Sequence, residues 1–306
     1  MTADISRREF LVRTAIIGAG AAMASTGISG RTFAGSRPDF YQPEVDLAIA
    51  KGGSPAKNCL AAVRALGGFE KFVRKGDRVA IKPNPVGTSP PERAINTHPE
   101  MLEAVVRECL RAGAREVIVL SHDELRSFAG NGTSAAVERA GGVVKALAER
   151  EQFREIAVPR GRILRTVGIA SDILDADLFI NMPIAKHHAG TRVTFSMKNL
   201  MGINWDRNIF HQTDLHQCIA ELTSAVKQDL IIMDANHVLL TNGPVGPGQV
   251  LNAQQVIAGV DPVAIDAYAT RFFGLEPQTI PHIRMAYELG VGEVDLAKLK
   301  VREFDA

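Results

Sequence analysis

Cysteine is scarce in this chain, and its three copies, Cys59, Cys109 and Cys218, stand far apart. Their spacing holds no CxxC pair, no CxxCH haem site and no ferredoxin run, which argues against an iron–sulfur cluster or c-type haem bound by the chain itself. All three fall in segments with helical spacing, so buried free thiols are expected, with a single disulfide as the alternative. Net charge is equally sparse, at +1 from 35 Lys and Arg against 34 Asp and Glu. That leaves no basic field for nucleic acid, and a charged partner has to be met locally. Beyond residue 30 no stretch reaches the ~20 apolar residues of a membrane span. There is no G-x-S-x-G elbow, and no Cys adjoins a His in sequence, which removes two common nucleophile arrangements.

What stands at the N-terminus is Ser6-Arg7-Arg8-Glu9-Phe10-Leu11, followed by an uncharged, weakly apolar stretch over residues 14–30. This order of charge, apolar run and small residues is that of a twin-arginine export signal, and Thr32-Phe33-Ala34 fits a small-x-small cleavage site. Residues 1–34 are therefore expected to be a signal peptide, residues 35–44 a polar lead-in and residues 45–306 an α/β domain. The expected partner is the twin-arginine translocation machinery, and the expected location is the periplasm. Gly18-Ala19-Gly20 imitates a dinucleotide fingerprint, but a basic polar segment precedes it where that motif needs a strand.

From residue 45 onward, apolar runs bounded by polar or proline residues alternate with helical patterns. Strands are expected at 45–50, 78–81, 116–120, 177–182, 191–197, 230–233 and 255–260. Helices are expected at 56–73, from Thr97 to residue 112, over 133–140, from Asp214 to residue 227, from Asp261 to residue 273 and over 281–289. Thr97 with Glu100, and Asp214 with Gln217, have the form of capping boxes, and Asp261-Pro262 that of an N-cap with a first-turn proline. Residues 141–170 carry no clear pattern. The alternation implies an α/β fold with a largely parallel or mixed sheet flanked by helices, in one body or two closely packed lobes. In such sheets ligands bind beyond the carboxyl ends of the strands. The polar residues follow that rule: Lys82 and Asn84 after one strand, His122 and Asp123 after another, Lys186 and His188 after a third, Asp234 and Asn236 after a fourth, Asp261 after a fifth.

Lys82-Pro83-Asn84, Thr97-His98-Pro99-Glu100, Pro183-Ile184-Ala185-Lys186-His187-His188, Lys198-Asn199-Leu200-Met201-Gly202, Leu215-His216-Gln217, Asn242-Gly243-Pro244 and Asp261-Pro262-Val263-Ala264-Ile265-Asp266 together resemble the domain-of-unknown-function family 362 over about residues 45 to 290. Members of that family often carry a ferredoxin-like cysteine cluster, which implies electron transfer; this chain has none. The family's usual Lys-Thr-His reads here Lys186-His187-His188, which makes His188 the family-like position.

Taken as chemistry, these residues offer lysines and imidazoles against two carboxylates, a set suited to a small anion, a divalent metal, or both. Lys198, Lys82, His98 and His216 are the candidate catalytic groups. Lysines neutralise an anion, and an imidazole at a helix start is favoured in the neutral form that can serve as acid or base. Asn84, Lys186, Asn199, Asn242 and Gly243 are candidate ligand-binding positions, the last two in a Gly/Pro loop whose amides can approach a ligand. His188, Asp234 and Asp261 are candidate metal ligands, although Asp261 also suits a plain helix cap. The expectation is an exported enzyme acting on a small anionic substrate with metal or Lys/His acid–base assistance. Its alternatives are a non-catalytic periplasmic binding protein for a carboxylate or metal complex, and an accessory subunit of a redox assembly.

Overall fold

Alternate residues of each central strand enter two different apolar layers. Ala80, Ile118, Leu120, Phe179, Ile231 and Met233 pack on one side of the sheet, whereas Val79, Ile81, Val117, Val119, Leu178, Ile180, Leu230 and Ile232 pack on the other. A sheet buried on both faces needs strands that are apolar at every position, and this is why these runs are nearly free of polar residues. The computed structural model describes residues 41–306 except 123 and 124. The export signal, the cleavage site, most of the lead-in and Asp123 lie outside the described residues.

The strands are β1 (Leu47–Lys51), β2 (Arg78–Pro83), β3 (Glu116–Ser121), β4 (Val143–Ala146), β5 (Phe153–Ala157), β6 (Thr166–Ala170), β7 (Leu178–Met182), β8 (Ile184–His188), β9 (Arg192–Thr194), β10 (Leu230–Leu239), β11 (Val250–Gly259) and β12 (Val301–Asp305). Ten of them form one sheet in the order β12-β1-β11-β10-β7-β2-β3-β4, with β8 on β10 and β9 on β8; β5 and β6 form a separate hairpin. From β10 through β7, β2 and β3 to β4 every pairing is parallel. The five runs expected in one sheet, ending near Ile81, Leu120, Met182, Met233 and Val260, do share it.

Six helices carry the packing that matters below: α1 (Pro55–Ala65), α2 (Pro99–Arg111), α3 (Ser196–Asn199), α4 (Leu215–Ala225), α5 (Pro262–Ala269) and α6 (Pro281–Glu288). Helix α2 buries Met101, Leu102, Val105, Val106 and Cys109, a stripe at helical spacing, in the same layer as α1. Helices α4, α5 and α6 contribute to the opposite layer. All three cysteines are buried free thiols, and burial pushes those of Cys59 and Cys109 up, so they are poor nucleophiles. No helix among the described residues is long and apolar enough to cross a membrane.

The helix expected at 56–73 stops at Ala65, and Lys186 and His188, expected after a strand, lie within β8. Three more local expectations change. Residues 191–197 do not form one strand: β9 stops at Thr194 and a helical turn begins at Ser196. The carboxylate of Asp266 causes the change, accepting from the amides of Ser196 (2.8 Å) and Met197 (3.1 Å) and from the Ser196 hydroxyl (2.6 Å). At α2 the N-cap is His98, one residue later than expected, while the Thr97 hydroxyl accepts from the Asn84 amide and donates to the Met182 carbonyl. The third concerns β11, which runs antiparallel to both neighbours. Its carboxyl end, and Asp261 after it, therefore lies at the sheet edge opposite Lys82 and Lys186.

Candidate functional site

Strands β7 and β8 are consecutive, separated only by Pro183. β2 pairs with β7 as far as Pro83 opposite Met182, whereas β8 continues beside β10. Between β2 and β8 the backbone ladder stops, and side chains take over. The Lys186 ammonium donates to Asn84 Oδ1 (2.9 Å) and to the Ile95 carbonyl (2.7 Å). Asn84 Nδ2 donates to Asn199 Oδ1 (2.8 Å), and Asn199 Nδ2 donates to Asn181 Oδ1 (2.7 Å). Asn181 Nδ2 in turn reaches the Ser196 carbonyl (2.9 Å) and Gln228 Oε1 (2.5 Å). Lys82 joins through its Nζ, which donates to the Pro83 carbonyl (2.5 Å) and Asn199 Oδ1 (3.5 Å). Every one of these side chains is buried, so their mutual bonds are what makes their burial affordable.

The run Lys198-Asn199-Leu200-Met201-Gly202 now has a physical reading. Asn199 is the hub of the network. Gly202 makes room for Lys82: a Cβ there would stand 2.4 Å from Lys82 Cε and 2.7 Å from its Nζ. Lys198 is neither hub nor spacer. It is half-buried at the end of the short helix α3, and among the described residues the hydrogen bond of its ammonium is to Met201 Sδ at 3.8 Å, a weak acceptor.

Lys198 acts electrostatically on His188 from β8, His216 from α4 and His282 from α6. Burial, then Lys198 and Lys186, then His211 and His187, drive His188 down to about 3. Burial also holds His216 below its ordinary range, with Lys198 adding to the effect and Asp214 opposing it. His282 is held well below, first by burial and then by its neighbours His216, Lys198 and His188, beside which a further positive charge is disfavoured. Lys198 itself is lowered to about 8, first by burial and then by Arg207. The result is a partly buried ammonium among neutral imidazoles. One ring nitrogen of each of His188 and His216 is already engaged: Gly190 N donates to His188 Nδ1 (3.0 Å), and His216 Nδ1 lies 2.9 Å from His282 Nδ1.

Other sequence candidates sit elsewhere. Asp234 is buried, with Oδ2 accepting from the His98 amide (2.8 Å) and Oδ1 from the Asn236 amide (3.0 Å) and Asn236 Nδ2 (2.7 Å). His98 caps α2, its Nδ1 accepting from Glu100 N at 3.3 Å. Asp261 accepts from Val263, Ala264 and Glu293 amides at the opposite sheet edge. His188, Asp234 and Asp261 are thus not brought together, because two of the three carry helix-start amides and β11 runs the other way. Among the described residues no group of three or more His, Cys, Asp or Glu side chains is placed to hold a metal ion. Asn242 and Gly243 form a turn tied to β8, with Gly243 N donating to His187 Nδ1 (3.0 Å) and its carbonyl accepting from Ala189 N. A Cβ on Gly243 would overlap the His187 carbonyl, so this glycine serves close packing. His122 lies against the Trp205 ring, with Nδ1 2.9 Å from the Asn204 carbonyl.

Sequence reasoning did not single out His282, Asn181 or Gln228. His282 had one signal, its place beside Ile283 and four residues before Ala286 on the buried stripe of α6. Asn181 had another, as a polar residue inside an otherwise apolar strand.

The family model for the domain of unknown function DUF362 matches residues 79–271, from β2 through α5. The chain belongs to the DUF362 family. That span contains Lys82, Asn84, Lys186, His188, Lys198, Asn199 and His216, whereas His282 lies beyond it. This DUF362 chain is 28% identical over 265 residues to the thylakoid-associated protein sll1697 of Synechocystis sp., covering 79% of this chain and 77% of that one. Among solved structures it is similar to the lactate racemase apoprotein from Thermoanaerobacterium thermosaccharolyticum, at 14% identity and a TM-score of 0.43, covering 72% of this chain and 55% of that one. A Thermotoga maritima protein matches at 12% identity and a TM-score of 0.44, with 77% and 60% covered. The chain thus spans little more than half the length of these two structures.

Proposed function

We propose that this DUF362 protein is an enzyme that binds a small oxyanion at Lys198 and exchanges a proton with it, and that its twin-arginine motif directs this activity to the periplasm. The observation that carries the reading is a half-buried ammonium whose hydrogen bond among the described residues is to a thioether, with His188 and the paired rings of His216 and His282 within its electrostatic reach. Lys198, Lys186 and Arg207 make the local field positive, which favours an anion and disfavours a divalent cation at the same spot. A lysine lowered to about 8 exchanges its proton near neutral pH. A protein that only captured anions would be better served by a permanently charged group, so the lowered ammonium favours the enzyme over the binding protein.

The test is calorimetric titration of the full chain at neutral pH with inorganic phosphate and with acetate, for wild type and Lys198→Met. The expected result is saturable binding of at least one of them, weakened about tenfold or more in the variant, the scale of a lost hydrogen bond to a charged group. Equal affinity in both proteins, or no saturable binding of either anion, overturns the proposal.

A further inference from the structure

His216 and His282 face each other through Nδ1 atoms 2.9 Å apart, with ring planes 16° from parallel and centroids 5.1 Å apart. Ring faces in van der Waals contact stand about 3.5–4.0 Å apart, so a nitrogen pair at this distance meets edge to edge, as a hydrogen bond. Burial and the Lys198 charge shift both rings towards the neutral form, opposed at His216 by Asp214. Two neutral imidazoles joined through Nδ1 must therefore be opposite tautomers, one donating and one accepting.

The other end of His282 decides which. His282 is 0% exposed, and its Nε2 is a buried atom with no hydrogen-bond partner. If His282 accepted at Nδ1, its proton would sit on Nε2 as an orphaned buried N–H, the costlier kind of unsatisfied group. If His282 donates from Nδ1, its Nε2 is only an unused lone pair. We infer that His282 donates its Nδ1 proton to His216 and thereby fixes His216 in the tautomer protonated on Nε2, turning the half-exposed ring into an N–H donor for the oxyanion beside Lys198. No described residue bonds to that Nε2. His282 is thus a positioning residue, and the site presents donors to its ligand, which selects an acceptor-only group such as a carboxylate or phosphate over an amine or amide N–H. The donor role rests on the anion reading above; the tautomer does not.

Long-range proton–nitrogen correlation spectra of the full chain labelled with 15N-histidine, without ligand near neutral pH, test the tautomer directly. Assignment comes from His216→Gln and His282→Asn. The expected pattern is His216 protonated on Nε2 alone and His282 on Nδ1 alone; the reverse pattern, or an imidazolium at either ring, overturns the inference. Phosphate and acetate titrations of two variants then test the role. His282→Asn keeps an amide donor for His216 and is expected to stay within about threefold of wild-type affinity, whereas His282→Phe has none and is expected to lose about tenfold. Equal loss in both overturns the positioning role. Should His282→Phe fail to fold in a thermal melt, the wild-type spectrum still decides. The expected tautomers in a wild type that binds neither anion would remove the donor role and the anion reading together, and leave the His216–His282 assignment standing.

Discussion

Asn84 Nδ2 donates to Asn199 Oδ1 at 2.8 Å, joining the loop after β2 to the helical turn that presents Lys198. Asn199 also donates to Asn181 Oδ1 and lies within reach of the Lys82 and Pro83 carbonyls. Truncating it strands several buried partners at once. Asn199→Ala is expected to lower stability by about 3 kcal/mol, from more than one unsatisfied buried group, read as a lower urea midpoint with an unchanged slope. An unchanged midpoint would show that the network carries little.

Anion affinity should follow the protonation of Lys198. Its ammonium is the form that attracts an anion, and it is lowered to about 8. Binding is therefore full at neutral pH and declines as pH rises through that value, by up to about tenfold per pH unit. Lys198→Arg, charged throughout this range, is expected to abolish the decline while disturbing the fit. A pH-independent affinity in wild type between pH ~7 and ~10 would contradict the assignment.

Gly202 and Lys82 should be coupled. Gly202→Ala sets a methyl against a buried lysine stem, an overpacking that costs about 1–3 kcal/mol. With Lys82→Ala in the background the obstruction is gone, and the same glycine change is expected to cost well under 1 kcal/mol relative to that background. Additive losses in the double variant would mean that the glycine acts through something else.

Asp266 makes stability depend on pH. Burial raises its carboxyl from the ordinary 3.8 to about 7, against the Ser196 and Met197 hydrogen bonds that lower it. The folded chain then holds a proton that the unfolded chain has released, so this contribution is full below pH ~4 and lost as pH rises towards ~7. Asp266→Asn should flatten that part of the profile in chemical denaturation measured across pH, and cost about 1–3 kcal/mol by leaving the Met197 amide unpaired.

Asp234→Ala should behave as a folding defect. Its carboxylate serves the His98 amide and Asn236, so the thermal midpoint is expected to fall with a loss of about 1–3 kcal/mol. Phosphate and acetate affinity of the folded fraction should stay within about twofold. A selective loss of affinity at unchanged stability would return Asp234 to the site.

The positions of Lys82 and Asn84 at the end of β2 were legible because a strand apolar on both faces announces where it stops, and Pro83 marks the stop; Lys186 and His188, expected beyond the strand that Pro183 ends, lie instead within β8, which begins directly after that proline. Strand direction was not. A doubly buried run such as residues 255–260 reads the same in either sense, so Asp261 fell on the wrong edge. Lys198 was legible as an ammonium after apolar residues, but its helical setting depends on Asp266, 68 positions later. The His216–His282 pair joins two helices by a contact that neither helix encodes locally. It fell outside any reading of motifs, as long-range side-chain geometry generally does.

The fork between β2 and β8 has a genetic consequence. Where a ladder of amides ends, Lys82, Asn84, Lys186 and Asn199 act as the rungs, so the join between the two strands rests on their side chains. In a survey of random substitutions scored by loss of activity, these four positions will rank among the most sensitive, whatever the reaction. Lys198, which belongs to no rung, is the one whose replacement by an uncharged side chain of similar length should leave a soluble, folded and inactive protein.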